Sequence, residues 1–464
     1  MPRTKPQGRG RGARLAKIAE RFLLNARWVV PVEPAGAVLE HHAVAVRDGV
    51  IEKVFPASEI PNAFADYQRV DLPDHVLIPG LVNAHTHAAM SLMRGLSDDL
   101  PLMRWLQEHI WPAETKHVSP DFVRDGTALA CAEMLRGGIT CFNDMYFFPQ
   151  AALEAAQAAG MRVALGLIVI DFPTAYASDP ADYLRKGFEL RDRCREDPTV
   201  SRLVSFCLAP HAPYTVSDPT FRQVATYAAE LDLPVHVHVH ETEHEIERSV
   251  AEHGVRPLER LNKLGLLGPG LIAVHAVHLN EQEIQLLARH GCSVAHCPSS
   301  NLKLASGFAP IEALRAAGVN LCLGTDGAAS NNRLDVLTEM RTAALLAKAV
   351  ARSAEAMPAH AALRAATLGG ARALGLGARI GSIEPGKRAD LTALALRGPE
   401  LAPCYDPVSH LVYAAGREHV THVWVDGEPR VVDGRLQNGE TSAPGGLDTR
   451  WQIWQNALKS HADS

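Results

Sequence analysis

No two cysteines in this chain are spaced as CxxC, and the eight it has (Cys131, Cys141, Cys194, Cys207, Cys292, Cys297, Cys322 and Cys404) are scattered, mostly in apolar runs such as VSFCLAP and VNLCLGTD. The scatter excludes a disulfide framework or a structural zinc knuckle, and buried free thiols are expected. A large excess of charge of one sign is also lacking, with 46 Lys and Arg against 52 Asp and Glu. A net charge of -6 and a pI near 6.4 exclude a chain-wide basic field for nucleic acid. The only basic cluster is at the start, with Arg3, Lys5, Arg9, Arg11, Arg14 and Lys17. No apolar segment behind it is long enough for an export signal or a membrane span, so residues 1–20 are expected to be a disordered tail and the protein cytoplasmic, with no membrane partner. No internal repeat of roughly 20 to 50 residues is present.

What is there is ordinary globular material, 47% hydrophobic and 21% charged over 464 residues. Short β segments punctuated by Pro, Gly and Asp fill residues 21–78 (RFLLNARWVV, HHAVAVRDGVIEKVF, HVLIPG), and the same texture returns in ADLTALAL and HVTHVWVDGEPRVVDGRL, where VDG marks a hairpin. Residues 21–78 plus 381–440 are therefore expected to form one small β-sandwich domain, with 441–464 a C-terminal extension. Between them, apolar runs of strand length alternate with helical stretches such as ALACAEMLRGG and QAALEAAQAAG. Eight strand candidates end near His85, Met145, Asp171, His211, His240, His275, Cys297 and Asp326. Eight βα units predict an α/β fold, a TIM (β/α)8 barrel over 79–380, with functional groups at the C-terminal ends of its strands.

Those ends are unusually polar. NAHTH places His85 and His87 two residues apart in an extended segment, where both rings can face one metal, although two polar loop histidines would read the same way. PVHVHVHETEHE alternates His236, His238 and His240 with valine. Three imidazoles on one buried face need a metal or hydrogen-bond partners, so at least one is expected to bind metal. Glu243, His244, Glu245 and Glu247 are expected to be the solvated first turn of the next helix. AVHAVHL supplies His275 and His278, and LCLGTDGAASNN ends a buried run on Asp326, a carboxylate that must be ligated, paired or protonated. Three histidines and an aspartate suit zinc and leave a position for water.

As a set, LIPGLVNAHTHAAMSLMRGLSDDLPLMRWLQEHIWPAE, GGITCFNDMY, APHAPYT, HVHETEHE, AVHAVHLNE, HCPSSNLKLASGFAP, GTDGAASNN and GSIEPGKRADL resemble the amidohydrolase superfamily, specifically its branch of methylthioadenosine and S-adenosylhomocysteine deaminases with triazine-hydrolase relatives. The resemblance spans nearly the whole barrel. It implies that His85, His87, His238 and Asp326 are metal ligands, for one zinc per subunit with iron(II) or manganese as alternatives. His238 is chosen because the ligand histidine of this pattern stands three residues before a catalytic glutamate, here Glu241. His275 becomes the second proton-handling residue, and Asp326 serves both metal and proton transfer. Trp105, Glu114 and His211 resemble nucleoside contacts, while His236 and His240 depart from the pattern without a role.

The implied activity is hydrolytic deamination of 5′-methylthioadenosine or adenosine, with S-adenosylhomocysteine as a further substrate, in an enzyme expected to be a homo-oligomer. The stretch VALGLIVIDFPTAYASD has no arginine for a homocysteine carboxylate, which favours the smaller 5′ groups. RLVSFCLAPHAPYT has no lysine to bridge two metals, which argues against a binuclear relative. Deamination or dechlorination of guanine or a triazine is the rival enzymatic reading, and a silent barrel scaffold the rival of another class.

Overall fold

The computed structural model describes residues 20–437 and 446–462; the predicted basic tail lies, except for Glu20, outside the described residues. Two eight-stranded sheets organise the chain. The first is mixed and joins both ends of the sequence: β1 (Arg21–Val29), β2 (Leu39–Arg47), β3 (Val50–Pro56) and β4 (Gln68–Pro79) meet β13 (Leu391–Ala395), β14 (Val420–Val425), β15 (Glu428–Val432) and β16 (Arg435–Leu436). β4 is the seam, parallel to β1 on one side and antiparallel to β13 on the other. The VDG hairpins form as read, each turn putting Asp and Gly at positive φ: Asp426 and Gly427 at 56° and 80°, Asp433 and Gly434 at 49° and 73°. This is the two-residue turn whose twist matches antiparallel strands. Leu24, Val44, Ile51, Leu77, Leu391 and Trp424 pack into the apolar core of this sheet.

The second sheet is all parallel, in sequential order from β5 (Leu81–Thr86) through β6 (Ile139–Asp144), β7 (Arg162–Val169), β8 (Val204–Pro210), β9 (Val235–Val239), β10 (Leu271–His275), β11 (Ser293–His296) to β12 (Asn320–Leu323). Strand ends fall within a few residues of the predicted ones. Most of these strands are buried throughout, as expected when helices cover one face and the barrel interior the other. Just beyond β12 the ring is drawn together. Asp326 N–H donates to the His85 carbonyl at 3.0 Å, and Asn83 exchanges two hydrogen bonds with Thr325.

The barrel and the mixed sheet meet at the barrel's N-terminal end. There Arg162, at the start of β7, forks onto both oxygens of Asp390 at 2.7 and 2.9 Å and reaches Asp426 at 3.4 Å. At the C-terminal end of the chain, the helix Gly446–Ala462 lies on the helix Pro120–Arg136 through Arg450 and Trp454, which share the Asp125 carboxylate. No helix among the described residues is long and apolar enough to cross a membrane.

Candidate functional site

The predicted residues converge at the C-terminal mouth of the barrel. His85 lies in β5 and His87 just past it, His238 lies in β9, and Asp326 follows β12. The Nε2 atoms of His85 and His87 each stand 3.2 Å from Asp326 Oδ1, and His238 Nε2 stands 3.2 Å from His85 Nε2. What the opposite nitrogens do decides what this cluster is for. His87 Nδ1–H donates to the Met145 carbonyl at 2.6 Å and His238 Nδ1–H to the His211 carbonyl at 2.7 Å. A proton spent there leaves Nε2 bare. Bare nitrogens and a carboxylate oxygen facing one another at this range repel, and a divalent cation among them turns the repulsion into ligation. The donor set of three imidazoles and one carboxylate suits zinc.

The remaining histidines of the β9 run separate by function. His236 Nε2 lies 3.0 Å from His85 Nδ1, so it backs a cluster residue instead of joining the cluster. The structure corrects the expectation that His240 shares their face. It follows the strand at φ 57°, turns away, donates from Nδ1 to the His278 carbonyl and accepts Leu258 N–H at Nε2. A second correction concerns Glu245. Far from being solvated, it is 4% exposed, and its two oxygens accept the backbone N–H groups of His240 and Glu241 at 3.0 and 2.9 Å. Burial pushes its carboxyl up to about 8 against these two N–H groups. The helix Glu243–His253 folds back over the end of β9, and so a residue of its first turn fixes the peptide that carries Glu241.

Glu241 is itself buried, which raises its carboxyl above the usual range despite the neighbouring His275 ring. Its Oε2 is 3.8 Å from His275 Nε2. His275 and Asp326 both take left-handed backbone angles, φ 69° and 60°, where a side chain is strained and the surrounding structure must hold it. Asp326 Oδ2 accepts from Ser300 and Ser330 at 2.6 and 2.7 Å.

A cavity of about 620 Å³ opens above this floor. His87, His238, Glu241, His275 and Asp326 form its base, and Trp105, Glu114 and His211 stand on its walls. Trp105 is 5% exposed and donates from Nε1 to the Ser97 carbonyl, so it is both packed and a wall. Glu114 Oε1 accepts the Tyr146 hydroxyl at 2.8 Å, and burial raises its carboxyl against that bond. His211 Nδ1 faces Thr215 Oγ1 at 3.0 Å, which leaves Nε2 for the cavity. The outer chamber is apolar, with Leu106, Ile110, Phe148, Ile168, Phe172 and Tyr176. Its described lining contains no lysine or arginine.

The Amidohydrolase family model matches residues 76–430, from the end of the first terminal segment through the barrel and into the second. The chain belongs to the amidohydrolase family. This amidohydrolase is 49% identical over 432 residues to a 5-methylthioadenosine/S-adenosylhomocysteine deaminase of Saccharophagus degradans, covering 93% of this chain and 96% of that protein. A protein of the same name from Teredinibacter turnerae is 47% identical, covering 88% and 92%. A crystal structure of an adenosine deaminase from Xanthomonas campestris with bound zinc superimposes with TM-score 0.91 at 53% identity, covering 95% of this chain and 98% of that one. An atrazine chlorohydrolase from Arthrobacter aurescens, at 24% identity and TM-score 0.84 over 94% and 99% of the two chains, shares the fold.

Of the candidates named from sequence, His85, His87, His238, Glu241, His275, Asp326, Trp105, Glu114 and His211 lie at the cluster or on the cavity wall of this amidohydrolase, and His236 and His240 do not. Tyr146, Ser300 and Asn301 also serve the site and are not singled out by the sequence pattern. Tyr146 carried one usable signal, since it follows directly on the strand end NDM, whose Met145 carbonyl holds His87.

Proposed function

We propose that this amidohydrolase is a zinc-dependent deaminase of adenosine compounds with a small apolar 5′ group, 5′-methylthioadenosine foremost. The observation that carries the reading is one cavity that joins the His85, His87, His238 and Asp326 cluster at its floor to a ribose-ready carboxylate, Glu114, and an apolar outer chamber. His85, His87, His238 and Asp326 hold the metal, which when bound supplies a water acidic enough to act near neutral pH. His275, with Nε2 bare, takes a proton from the attacking water. Glu241, whose burial favours the protonated form, gives its proton to the ring nitrogen beside the amino-bearing carbon, so that carbon accepts the water oxygen and becomes tetrahedral. Asp326 passes on the proton with which ammonia leaves, and the oxopurine remains.

Glu114 accepts both ribose hydroxyls, oriented by Tyr146, and His211 offers Nε2 to the purine. Trp105 and the apolar chamber cover a methylthio group. A homocysteine carboxylate would meet no cation there. Arg94 is bound to Glu133 and the Asn332 carbonyl, and Arg185 to Asp182 and Glu189. S-Adenosylhomocysteine is therefore the poorer substrate.

The test follows ultraviolet absorbance of 5′-methylthioadenosine, adenosine, S-adenosylhomocysteine and guanine. The first two should be converted fastest, with turnover lost to a chelator and restored by zinc. Zinc-loaded protein that converts guanine but no adenosine compound would sink the nucleoside reading. Glu114→Gln and Tyr146→Phe sharpen it. Losing a hydrogen bond to a charged group should raise KM for nucleosides about 10- to 100-fold with little change in kcat. Equal losses in kcat and kcat/KM would instead place Glu114 in the chemistry.

Eight free cysteines support a cytoplasmic location. The homo-oligomer implied by the resemblance is tested by light scattering during size-exclusion chromatography.

A further inference from the structure

The helix Pro298–Lys303 begins one residue after β11, and two adjacent residues in it serve two different active-site groups. Ser300 Oγ–H donates to Asp326 Oδ2 at 2.6 Å. Asn301 Oδ1 accepts from His275 Nδ1–H at 2.8 Å. Both residues are buried, 0% and 1% exposed, and neither lines the cavity, so neither can touch substrate there.

The contacts have different consequences. An amide oxygen can only accept, so its partner Nδ1 must carry the ring proton and the bare nitrogen of His275 is Nε2, the one 3.8 Å from Glu241. Without that acceptor the neutral ring divides between two tautomers, one of which has no lone pair toward the site. On Asp326, hydroxyls from Ser300 and Ser330 occupy Oδ2 while Oδ1, bonded by Gly327 N–H at 2.8 Å, faces His85 and His87. The carboxylate cannot rotate without breaking these bonds.

Both serines are tied to one buried carboxylate that the chemistry does not use. Glu339, 1% exposed, accepts Ser299 N–H on Oε2 at 3.0 Å and the Asn331 side-chain amide on Oε1 at 2.9 Å. Ser299 precedes Ser300, and Asn331 follows Ser330.

We propose that Asn301 and Ser300 are positioning residues, Asn301 for His275 and Ser300 for Asp326, and that Glu339 mounts the segment that carries them. A single helical turn thus orients both proton-handling groups. The inference rests on the roles given to His275 and Asp326 above.

Four variants test it: Asn301→Leu, Asn301→Asp, Ser300→Ala and Glu339→Gln. Each is measured for kcat and KM on 5′-methylthioadenosine, for zinc retained against a chelator, and for thermal unfolding. Asn301→Leu fills the same space without an acceptor. It should lower kcat about 10- to 100-fold, with KM and zinc retention near wild type. Asn301→Asp keeps an acceptor and should recover most of kcat. Ser300→Ala frees one side of Asp326 and should speed zinc loss on the order of tenfold. Glu339→Gln turns an amide N–H₂ against Ser299 N–H or the Asn331 amide, so kcat and zinc retention should fall together. It reports even if Asn301→Leu does not fold.

Equal losses in the Leu and Asp variants would mean that Asn301 only fills space, and a rise confined to KM would mean that it contacts substrate. Wild-type zinc retention in Ser300→Ala would remove its role. Wild-type turnover in the same assay separates these outcomes from failure of the deaminase reading, since zinc retention tests Ser300 and Glu339 without any substrate.

Discussion

Glu241→Gln should yield a folded, zinc-loaded protein whose kcat for 5′-methylthioadenosine is lower by about 10²- to 10⁴-fold, the range lost when a general acid is removed. The substitution keeps the size of the side chain and its ability to hydrogen-bond, but an amide has no acidic proton to give a ring nitrogen. Its placement should survive, because the backbone N–H of residue 241 is held by Glu245 and that bond does not depend on the side chain. Burial raises the wild-type carboxyl above its usual range, and the same burial leaves little room for a solvent water to replace it. KM should change little, since Trp105, Glu114 and His211 grip other parts of the nucleoside. Steady-state rates and metal content, measured together, check this. Activity within tenfold of wild type at full zinc occupancy would remove Glu241 from the role of acid.

The largest effect on stability should come from the other end of the barrel. Arg162 and Asp390 are 1% and 2% exposed, and they join the first residue of β7 to the residue before β13 through two parallel hydrogen bonds. Asp390 also accepts Asp426 N–H at 2.8 Å. Arg162→Met leaves the buried Asp390 without its cation, while Asp426 keeps Arg202 and Arg388, a loss of about 3–5 kcal/mol. The unfolding temperature should fall by several degrees, and Arg162→Lys should not restore it, because a single ammonium cannot bond both carboxylate oxygens. Arg185→Ala, at a pair that is half exposed, should change it little. Activity per folded molecule should hold, since the latch lies opposite the cavity. Scanning fluorimetry on the three variants decides the matter, and unfolding of Arg162→Met at the wild-type temperature would show that the latch contributes nothing.

The barrel was legible because its signal is periodic and local. Apolar runs of strand length, helices between them and polar residues at the strand ends need no knowledge of distant contacts, and the strand ends from His85 to Asp326 lie within a few residues of where that pattern puts them. The VDG turns were legible for the same reason, since the backbone angles are set by the two residues in the turn. The β9 histidines were less so. Alternation puts His236, His238 and His240 on one face, but the strand stops at Val239, and a left-handed residue at 240 reverses the pattern.

Glu245 departs from its sequence pattern for a related reason. An acidic residue in the first turn of a helix looks the same whether the turn faces water or closes over a strand end, and only the path of the chain between β9 and that helix tells which. Ser300 and Asn301 sit in a motif of small polar residues that any helix start can carry, and their partners lie 26 residues ahead and behind.

The sequence by itself determined the βα order, the hairpins and the residue types able to hold a metal and move protons, because these depend on propensity, period and side-chain chemistry. Tertiary structure alone decided which nitrogen of each imidazole is free, which of three alternating histidines faces the cluster, and which carboxylates are buried. Those properties come from the partner on the far side of each group, and in a closed barrel that partner is supplied by a different strand.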